Sequence, residues 1–318
     1  MVKVYIAGPI PEVGLNLLKD QGFEVAMYEG KGIIDKETLK EGVKDADALI
    51  SLLSTNVDKD VIDAASNLKI IANYGAGFNN IDGDYARQLN IDVTNTPKAS
   101  TNSTAELTFG LVLSAARRIV EGDKLCRTTG FDGWAPLFFR GREVSCKTIG
   151  IIGLGEIGSA VAKRAKAFDM NVLYTGPNQN VDRERELGAK YVDLHTLLKH
   201  SAFITITAAY NPNMHHQIDT EQFKMMKPTS YLINASRGPI VHEQALVQAL
   251  KDKEIEGAAL DVFEFEPEIN DELKKLDNVV LTPHIGNATF ESRDMMSKIV
   301  ANDTVSKLTN NEPKYVVN

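Results

Sequence analysis

Three short stretches carry side chains suited to chemistry, and each follows an apolar, strand-like run. Asn234-Ala235-Ser236-Arg237-Gly238 contains an arginine, a permanently charged planar fork that can hold a carboxylate at two points. Asp261-Val262-Phe263-Glu264-Phe265-Glu266-Pro267-Glu268 is rich in carboxylates. Thr282-Pro283-His284-Ile285-Gly286-Asn287-Ala288-Thr289 holds one histidine, the side chain that gains and loses a proton near neutral pH. Taken singly, each has a bland reading: a surface arginine in a turn, solvated carboxylates, a structural histidine beside proline. Their shared placement after strands of one domain argues for a common site, because functional groups cluster.

The element that positions them is Lys147 to Val172, KTIGIIGLGEIGSAVAKRAKAFDMNV. It reads as a strand over 148–152, a glycine turn Gly153-Leu154-Gly155-Glu156-Ile157-Gly158, a helix with Ile157, Val161, Ala165 and Phe168 at helical spacing, and a second strand over 171–174. That is the context in which G-x-G-x-x-G marks a dinucleotide site. Gly153 permits the sharp turn, Gly155 lets the backbone approach a pyrophosphate, and Gly158 lets the helix pack close to the strand. The helix N-terminus offers free N–H groups and a positive dipole end to the phosphates.

A site specific for NAD has Asp or Glu roughly 20 residues past the glycines, bound to the ribose hydroxyls. Here the second strand ends in Tyr174-Thr175-Gly176-Pro177-Asn178, with Gly176 at that position. No carboxylate repels a 2′-phosphate and no arginine stands at the turn to bind one, although Arg183 and Arg185 are within reach in sequence. NAD and NADP both stay open.

At 318 residues the chain exceeds a single core and predicts two domains. Composition is that of a soluble globular protein, 43% hydrophobic and 25% charged. A formal net charge of -8 without a basic block argues against nucleic acid and anionic membranes as partners. The opening MVKVYIAGPI reads as a strand; its apolar run is too short for a secretory signal and no run reaches membrane-span length. Cys126 and Cys146 are isolated, without C-x-x-C spacing, which predicts reduced thiols and a cytoplasmic protein.

Strands at 2–7, 23–28, 48–53 and 69–73, with helices at 13–21, 35–43 and 58–65, alternate as in a parallel doubly wound α/β domain. Tyr74-Gly75-Ala76-Gly77-Phe78-Asn79-Asn80-Ile81-Asp82 then lies just past a strand, where such sheets bind ligands. Its N–H groups suit an anion nest; a flexible turn capping a helix that begins near Ile81-Asp82 is an equal reading. A strand at 91–94 leads to a linker, then to a long helix predicted from Thr104 to about Leu125, capped by Ser103 or Thr104. Leu107, Phe109, Leu111, Val112, Leu113, Ile119 and Val120 make it apolar over much of its girth, which predicts burial between domains or subunits. Past the glycine unit, strands at 203–208, 230–235, 257–262 and 279–281 extend a second doubly wound sheet. A final helix over 288–308 is expected to return to the first domain. The division predicted is a discontinuous substrate domain, 1–100 and 286–318, and a dinucleotide-binding domain, 101–285.

The histidines argue against a metal. His215 and His216 are adjacent and expected to point apart, while His195, His200 and His242 show no H-x-x-x-H spacing.

Together these segments resemble the D-2-hydroxyacid dehydrogenase family over nearly the whole chain. The resemblance rests on GLGEIG at Gly153–Gly158, the ASRG box with Arg237, the ALDVFEFEP box with Asp261 and Glu266, and the TPHIGNAT box with His284. It implies two Rossmann-like domains, the substrate domain flavodoxin-like, and an NAD(P)-dependent oxidoreductase that moves a hydride between nicotinamide and a small 2-keto or D-2-hydroxy acid. Arg237 would bind the substrate carboxylate and carbonyl, His284 would be the general acid/base, and Glu266 would pair with it and hold its pKa near working pH. Asp261 would contact the nicotinamide carboxamide, and Thr104 the cofactor at the start of the long helix. Further cofactor contacts carried over are Gly153, Leu154, Gly155, Glu156, Ile157, Gly158, Thr175, Gly176, Ala208, Ala235, Ser236, Arg237, His284 and Gly286. Tyr74, Gly75, Ala76 and Gly77 would join Arg237 and His284 around the substrate, with Tyr210 and a neighbouring subunit's Trp134 shaping the pocket. The helix 104–125 resembles the family's dimerisation element, which implies a homodimer.

Within the family, Tyr174-Thr175-Gly176 looks like the turn of glyoxylate/hydroxypyruvate reductases, which often favour NADPH; their following arginine is here replaced by Pro177-Asn178. Cys146 stands where the family commonly has glycine, a change expected to be harmless. The regulatory tail of longer phosphoglycerate dehydrogenases is not expected here, since only about 30 residues follow the TPHIGNAT box, and Glu266 departs from the Gln-His pair of formate dehydrogenases. An NAD(H)-sensing binding protein of the corepressor type is the alternative on the same fold, since such relatives can keep the same Arg, Glu and His.

Overall fold

Alternating strands and helices build two wholly parallel sheets, as the sequence pattern predicts. The computed structural model describes residues 1–318 and divides into two units, residues 1–100 with 288–318, and residues 101–287.

The first unit runs β1 (Lys3–Ile6), α1 (Glu12–Asp20), β2 (Glu24–Met27), α2 (Lys36–Val43), β3 (Ala48–Leu52), α3 (Lys59–Ala64), β4 (Ile70–Tyr74), α4 (Gly83–Gln88) and β5 (Asp92–Thr94). The sheet order β2-β1-β3-β4-β5 is that of flavodoxin-like folds. All five residues of the interior strand β4 are buried, as expected of a parallel strand with helices on both faces. Asp35, Asp58 and Asp82 fix the starts of α2, α3 and α4, each accepting a first-turn N–H on its carboxylate.

The second unit holds α5 (Thr101–Ala116), α6 (Ile119–Arg127), β6 (Thr148–Ile152), α7 (Glu156–Ala167), β7 (Asn171–Thr175), α8 (Val181–Leu187), β8 (Ala189–Tyr191), α9 (Leu194–His200), β9 (Phe203–Ile206), α10 (Thr220–Met225), β10 (Tyr231–Asn234), α11 (Glu243–Lys251), β11 (Gly257–Leu260) and β12 (Val279–Leu281). Its order β12-β11-β10-β9-β6-β7-β8 reverses direction between β9 and β6, the switch point outside which doubly wound sheets bind ligands. The chain then returns to the first unit as α12 (Phe290–Leu308), which packs on α1 and β4.

Three expectations change. The helix read over 104–125 is two helices, and the first begins at Thr101. Arg118 breaks the run at φ 54°, a left-handed conformation that cannot continue the ladder. Its guanidinium holds that corner, with Nε 2.8 Å from Glu121 and the group 4.0 Å over the Phe139 ring. The apolar girth of α5 is absorbed by α7, β10, β11 and β12 of its own unit, so only α6 leaves Ile119 and Val120 about half exposed. The sequence reading also passed over α8 and β8, because VDREREL is mostly charged and carries no apolar period. Cys146 sits at φ 59°, which explains the preference for glycine there; the strain costs about 1–2 kcal/mol. Both cysteines are exposed and unpaired, and no helix is long and apolar enough to cross a membrane.

Candidate active site

The glycine turn joins β6 to α7 at the switch point. Gly153 has φ 96°, and a Cβ there would lie 2.5 Å from Ala208 Cα, so conformation and space both require glycine. Ala208 is thereby placed against the turn, and Thr207 Oγ1 donates to the Gly153 carbonyl at 2.8 Å. A Cβ on Gly158 would overlap the Gly153 carbonyl oxygen, which is the close helix–strand packing expected of it. Gly155 faces open space, and the first turn of α7 leaves its N–H groups free of intrahelical partners. An open cradle beneath the positive end of a twelve-residue helix fits a pyrophosphate.

At the end of β7 no carboxylate replaces the missing one: the Thr175 carbonyl accepts from Gly153 N–H and the Gly176 carbonyl from the Tyr191 hydroxyl. Arg183, on α8, reaches the turn. Its Nη1 donates to the Leu154 carbonyl and Ser159 Oγ, both at 2.7 Å, and its Nη2 to Glu156 at 2.6 Å. A cation thus stands beside the glycine turn, supplied by a helix without apolar periodicity.

Arg237 follows β10. Asn234, itself buried, shapes its turn: the side-chain carbonyl accepts from Ser236 N–H at 3.1 Å and the amide donates to the Arg237 carbonyl at 3.0 Å. Ser236 Oγ donates to the Ala208 carbonyl, which ties this turn to the glycine turn. Arg237 Nη1 spends one donor on the Ser236 carbonyl, leaving most of the fork for an anion. Burial pulls this guanidinium below its ordinary pKa, opposed by the charge of Glu266.

His284 and Glu266 meet as expected, with Nδ1 2.8 Å from Glu266 Oε2. Glu266 Oε1 accepts from Phe263 N–H at 3.0 Å, so the carboxylate is held from both sides. Burial alone would raise the Glu266 carboxyl; the His284 hydrogen bond and charge, with Phe263 N–H and Arg237, bring it below its ordinary value. With the carboxylate on Nδ1, the Nε2 nitrogen is left to face a reacting group.

Asp261 also has a structural job. It is 1% exposed, and its oxygens take Thr282 Oγ1 at 2.6 Å and the N–H groups of Ile285 and Gly286, each at 2.8 Å. These bonds clamp the loop in which His284 adopts φ 53°, a left-handed backbone that needs such support. Burial raises the Asp261 carboxyl above its usual range against the pull of those donors. Thr104 lies in the first turn of α5 beside this loop, its Cγ2 3.3 Å from where a Gly286 Cβ would be.

In the first unit, the loop after β4 has its carbonyls turned inward. Asn73 Nδ2 donates to the Gly75 and Gly77 carbonyls at 3.3 and 2.7 Å, and Asn95 Nδ2 to that of Ala76 at 2.7 Å. The N–H groups of Ala76, Gly77 and Phe78 make no hydrogen bond within the protein, the arrangement of an anion nest. Tyr74 is a correction: its ring is 4% exposed and its hydroxyl donates to the Arg293 carbonyl at 2.6 Å, so the side chain is a core strut of this unit, not a pocket wall. Trp134 is 87% exposed.

The histidines also depart from expectation. His215 and His216 do not point apart; their rings stack at 3.9 Å, and His216 stacks in turn on His242 at 4.4 Å. Sequence spacing missed this because His242 comes from another segment. Asn234 and Gly238 were likewise passed over: they bear no reactive group, and their roles depend on neighbours distant in sequence.

The family model for the NAD binding domain of D-isomer specific 2-hydroxyacid dehydrogenases matches residues 109–286. A Staphylococcus saprophyticus protein carrying the name 2-hydroxyacid dehydrogenase is 87% identical over 318 residues, all of both chains. Among solved structures, the TT0316 protein of Thermus thermophilus is 34% identical with a TM-score of 0.95, all of both chains being covered. A glyoxylate reductase of Paecilomyes thermophila is 30% identical with a TM-score of 0.88, covering 99% of this chain and 98% of that one.

Proposed function

As this chain belongs to the D-isomer specific 2-hydroxyacid dehydrogenase family, we propose that it reduces a small 2-keto acid to the 2-hydroxy acid, of D configuration where the carbon is stereogenic. Glyoxylate and hydroxypyruvate are the first candidates. The observation that carries the reading is the His284–Glu266 pair at 2.8 Å, with the half-buried Arg237 guanidinium close enough for its charge to act on Glu266.

A nicotinamide dinucleotide held at Gly153–Gly158 would supply the hydride. Arg237 binds the substrate carboxylate and carbonyl, and its fixed charge opposes the negative charge that develops on the carbonyl oxygen. His284 delivers a proton to that oxygen from Nε2, because Nδ1 is turned to Glu266. Glu266 holds the ring in orientation through its hydrogen bond with Nδ1. Asp261 keeps the His284 loop in place through three hydrogen bonds.

For the cofactor we propose NADPH ahead of NADH. The acidic ribose partner is missing at Gly176, and Arg183 supplies a cation at the turn that can leave Glu156 for a 2′-phosphate. Arg183→Ala is expected to raise the KM for NADPH at least about tenfold and to leave that for NADH within about threefold, matching the loss of one charge-assisted contact. An equal change for both cofactors would remove Arg183 from the phosphate site. We also propose a homodimer, since Ile119 and Val120 on α6, with Phe131, Trp134 and Leu137 after it, expose a run of large apolar side chains.

The test is cofactor oxidation, with NADPH and NADH in parallel, against glyoxylate, hydroxypyruvate, pyruvate and a bulky branched 2-keto acid. Turnover of glyoxylate or hydroxypyruvate is expected. Tight cofactor binding with no turnover of any of the four would overturn the reading in favour of a redox-sensing protein.

A further inference from the structure

We propose that His216, Asp219 and His242 form a binding site for a borderline divalent metal ion of the Zn²⁺ type, clipping together segments that lead to Arg237 and Glu266. None of the three is assigned to the reaction, so the site stands or falls apart from the proposed function. One ring nitrogen from each histidine and one Asp219 oxygen lie within 4.8 Å of one another. Bonds of about 2.0–2.2 Å would draw these atoms together, and the His216 and His242 rings, stacked within 12° of parallel, would turn about χ2 so that both lone pairs meet one ion.

The backbone presets the ligands. His216 N–H donates to the Pro239 carbonyl at 2.8 Å, Ile218 N–H to that of Ile240 at 3.0 Å, and His242 N–H to that of Ile218 at 3.0 Å. Residues 216–218 and 239–242 are thus laced side by side, with a parallel bridge between Ile218 and Val241. Asp219 is the N-cap of α10 within a capping box, so its carboxylate does not wander.

The surroundings supply what a histidine ligand needs behind it. The Glu264 side chain, 7% exposed, places Oε1 2.6 Å from His216 Nε2. Its Oε2 accepts from Glu243 N–H at 3.0 Å, while Glu264 N–H donates to Glu243 Oε1 at 2.7 Å. A buried carboxylate on one ring nitrogen fixes the tautomer and leaves the other nitrogen for a metal. His242 Nδ1 lies 2.9 Å from Asp219 Oδ1, and the proton shared there is the one an ion would displace. Two imidazoles and one carboxylate, open to solvent for water ligands, suit Zn²⁺, Co²⁺ or Ni²⁺; Mg²⁺ and Ca²⁺ want more oxygen. Glu264 precedes Glu266 by two residues, and Gly238, next to Arg237, lies against the Phe263 carbonyl.

The experiment uses untagged, chelator-stripped protein titrated with Zn²⁺ by calorimetry and with Co²⁺ by visible absorption. The expected result is one ion per chain, a Co²⁺ band of low-coordinate intensity, and a Tm raised by about 5 °C at a hundredfold excess over Kd. Affinity should fall at least about thirtyfold in His216→Ala and His242→Ala, and about tenfold in Glu264→Gln, as outer-shell losses do. Asp219→Asn keeps the helix cap and is a second ligand variant should an alanine variant fail to fold; it too should weaken binding at least about tenfold. His215→Ala, which removes only a stacked ring, should leave affinity within about threefold. Absence of stoichiometric binding would overturn the site, as would binding that survives the His242 and Asp219 changes or is lost on changing His215.

Discussion

Gly238→Ala isolates positioning from chemistry. Gly238 has no reactive group, yet a Cβ on it would overlap the carbonyl carbon and oxygen of Phe263 and the nitrogen of Glu264. All three are backbone atoms, so no side chain can swing aside. To reach even the 3.0 Å that real Cβ contacts respect, the two backbones must part by more than about 1 Å. One of them carries Arg237, the residue before; the other carries Glu266, whose oxygen is fixed by Phe263 N–H. A misplacement of about 1 Å costs about a hundredfold in rate, or about 2.7 kcal/mol of activation free energy. Overpacking a well-filled site costs about 1–3 kcal/mol of stability, which lowers Tm without unfolding a domain of this size. The assay is steady-state cofactor oxidation at saturating cofactor, alongside a thermal melt and cofactor affinity. The predicted variant is folded, binds cofactor at the glycine turn as before, and has kcat/KM lowered about a hundredfold. A folded variant within threefold of the parent would refute the claim that the spacing of these two segments sets the site.

Two further predictions follow from named contacts. Glu266→Gln should lower kcat about 10–100-fold with little change in cofactor affinity, because a neutral amide is a weaker and less specific acceptor for orienting the His284 ring. The same change alters acid stability. The folded Glu266 carboxyl lies below its ordinary value of 4.5, so its contribution is present above that pH and is lost as pH falls through the folded value; the melting curve of the Gln variant should lack that acid-side step. Tyr74→Phe removes the hydrogen bond to Arg293 and should cost about 1 kcal/mol with kcat unchanged, which a thermal melt beside the activity assay would show. Burial pushes the Tyr74 phenol up to about 12 from 10.0, so its contribution is complete below pH 10 and lost as pH rises through 12; the Phe variant should show no such alkaline loss.

Much of this architecture could be read from residue order alone, and the reason is periodicity. Apolar runs such as 148–152 and 203–206, each followed by a helical period, state a parallel sheet directly, and the glycine turn states where its ligand goes. Arg237, Glu266 and His284 were legible because their chemistry is in the side chain and each follows a strand. What escaped depends on three-dimensional neighbours. Arg118 breaks a helix that composition would continue, because its left-handed backbone is held by Glu121 and Phe139. Tyr74 follows a strand as a pocket residue would, yet β4 is buried throughout and its hydroxyl is spent on α12. The loop-clamping bonds of Asp261 come from Thr282, Ile285 and Gly286, more than 20 positions on. His216 and His242 are 26 positions apart and meet only because the Ile218–Val241 bridge brings their segments together.

The most direct test of the catalytic assignment is turnover by His284→Ala, measured at saturating cofactor on the best 2-keto acid, with cofactor affinity measured on the same preparation. Loss of the general acid predicts a fall in kcat of about 10²–10⁴-fold with cofactor affinity within about threefold of the parent. A variant that retains the parent kcat would contradict the assignment of proton transfer to His284, and with it the reading of the His284–Glu266 pair as the working centre.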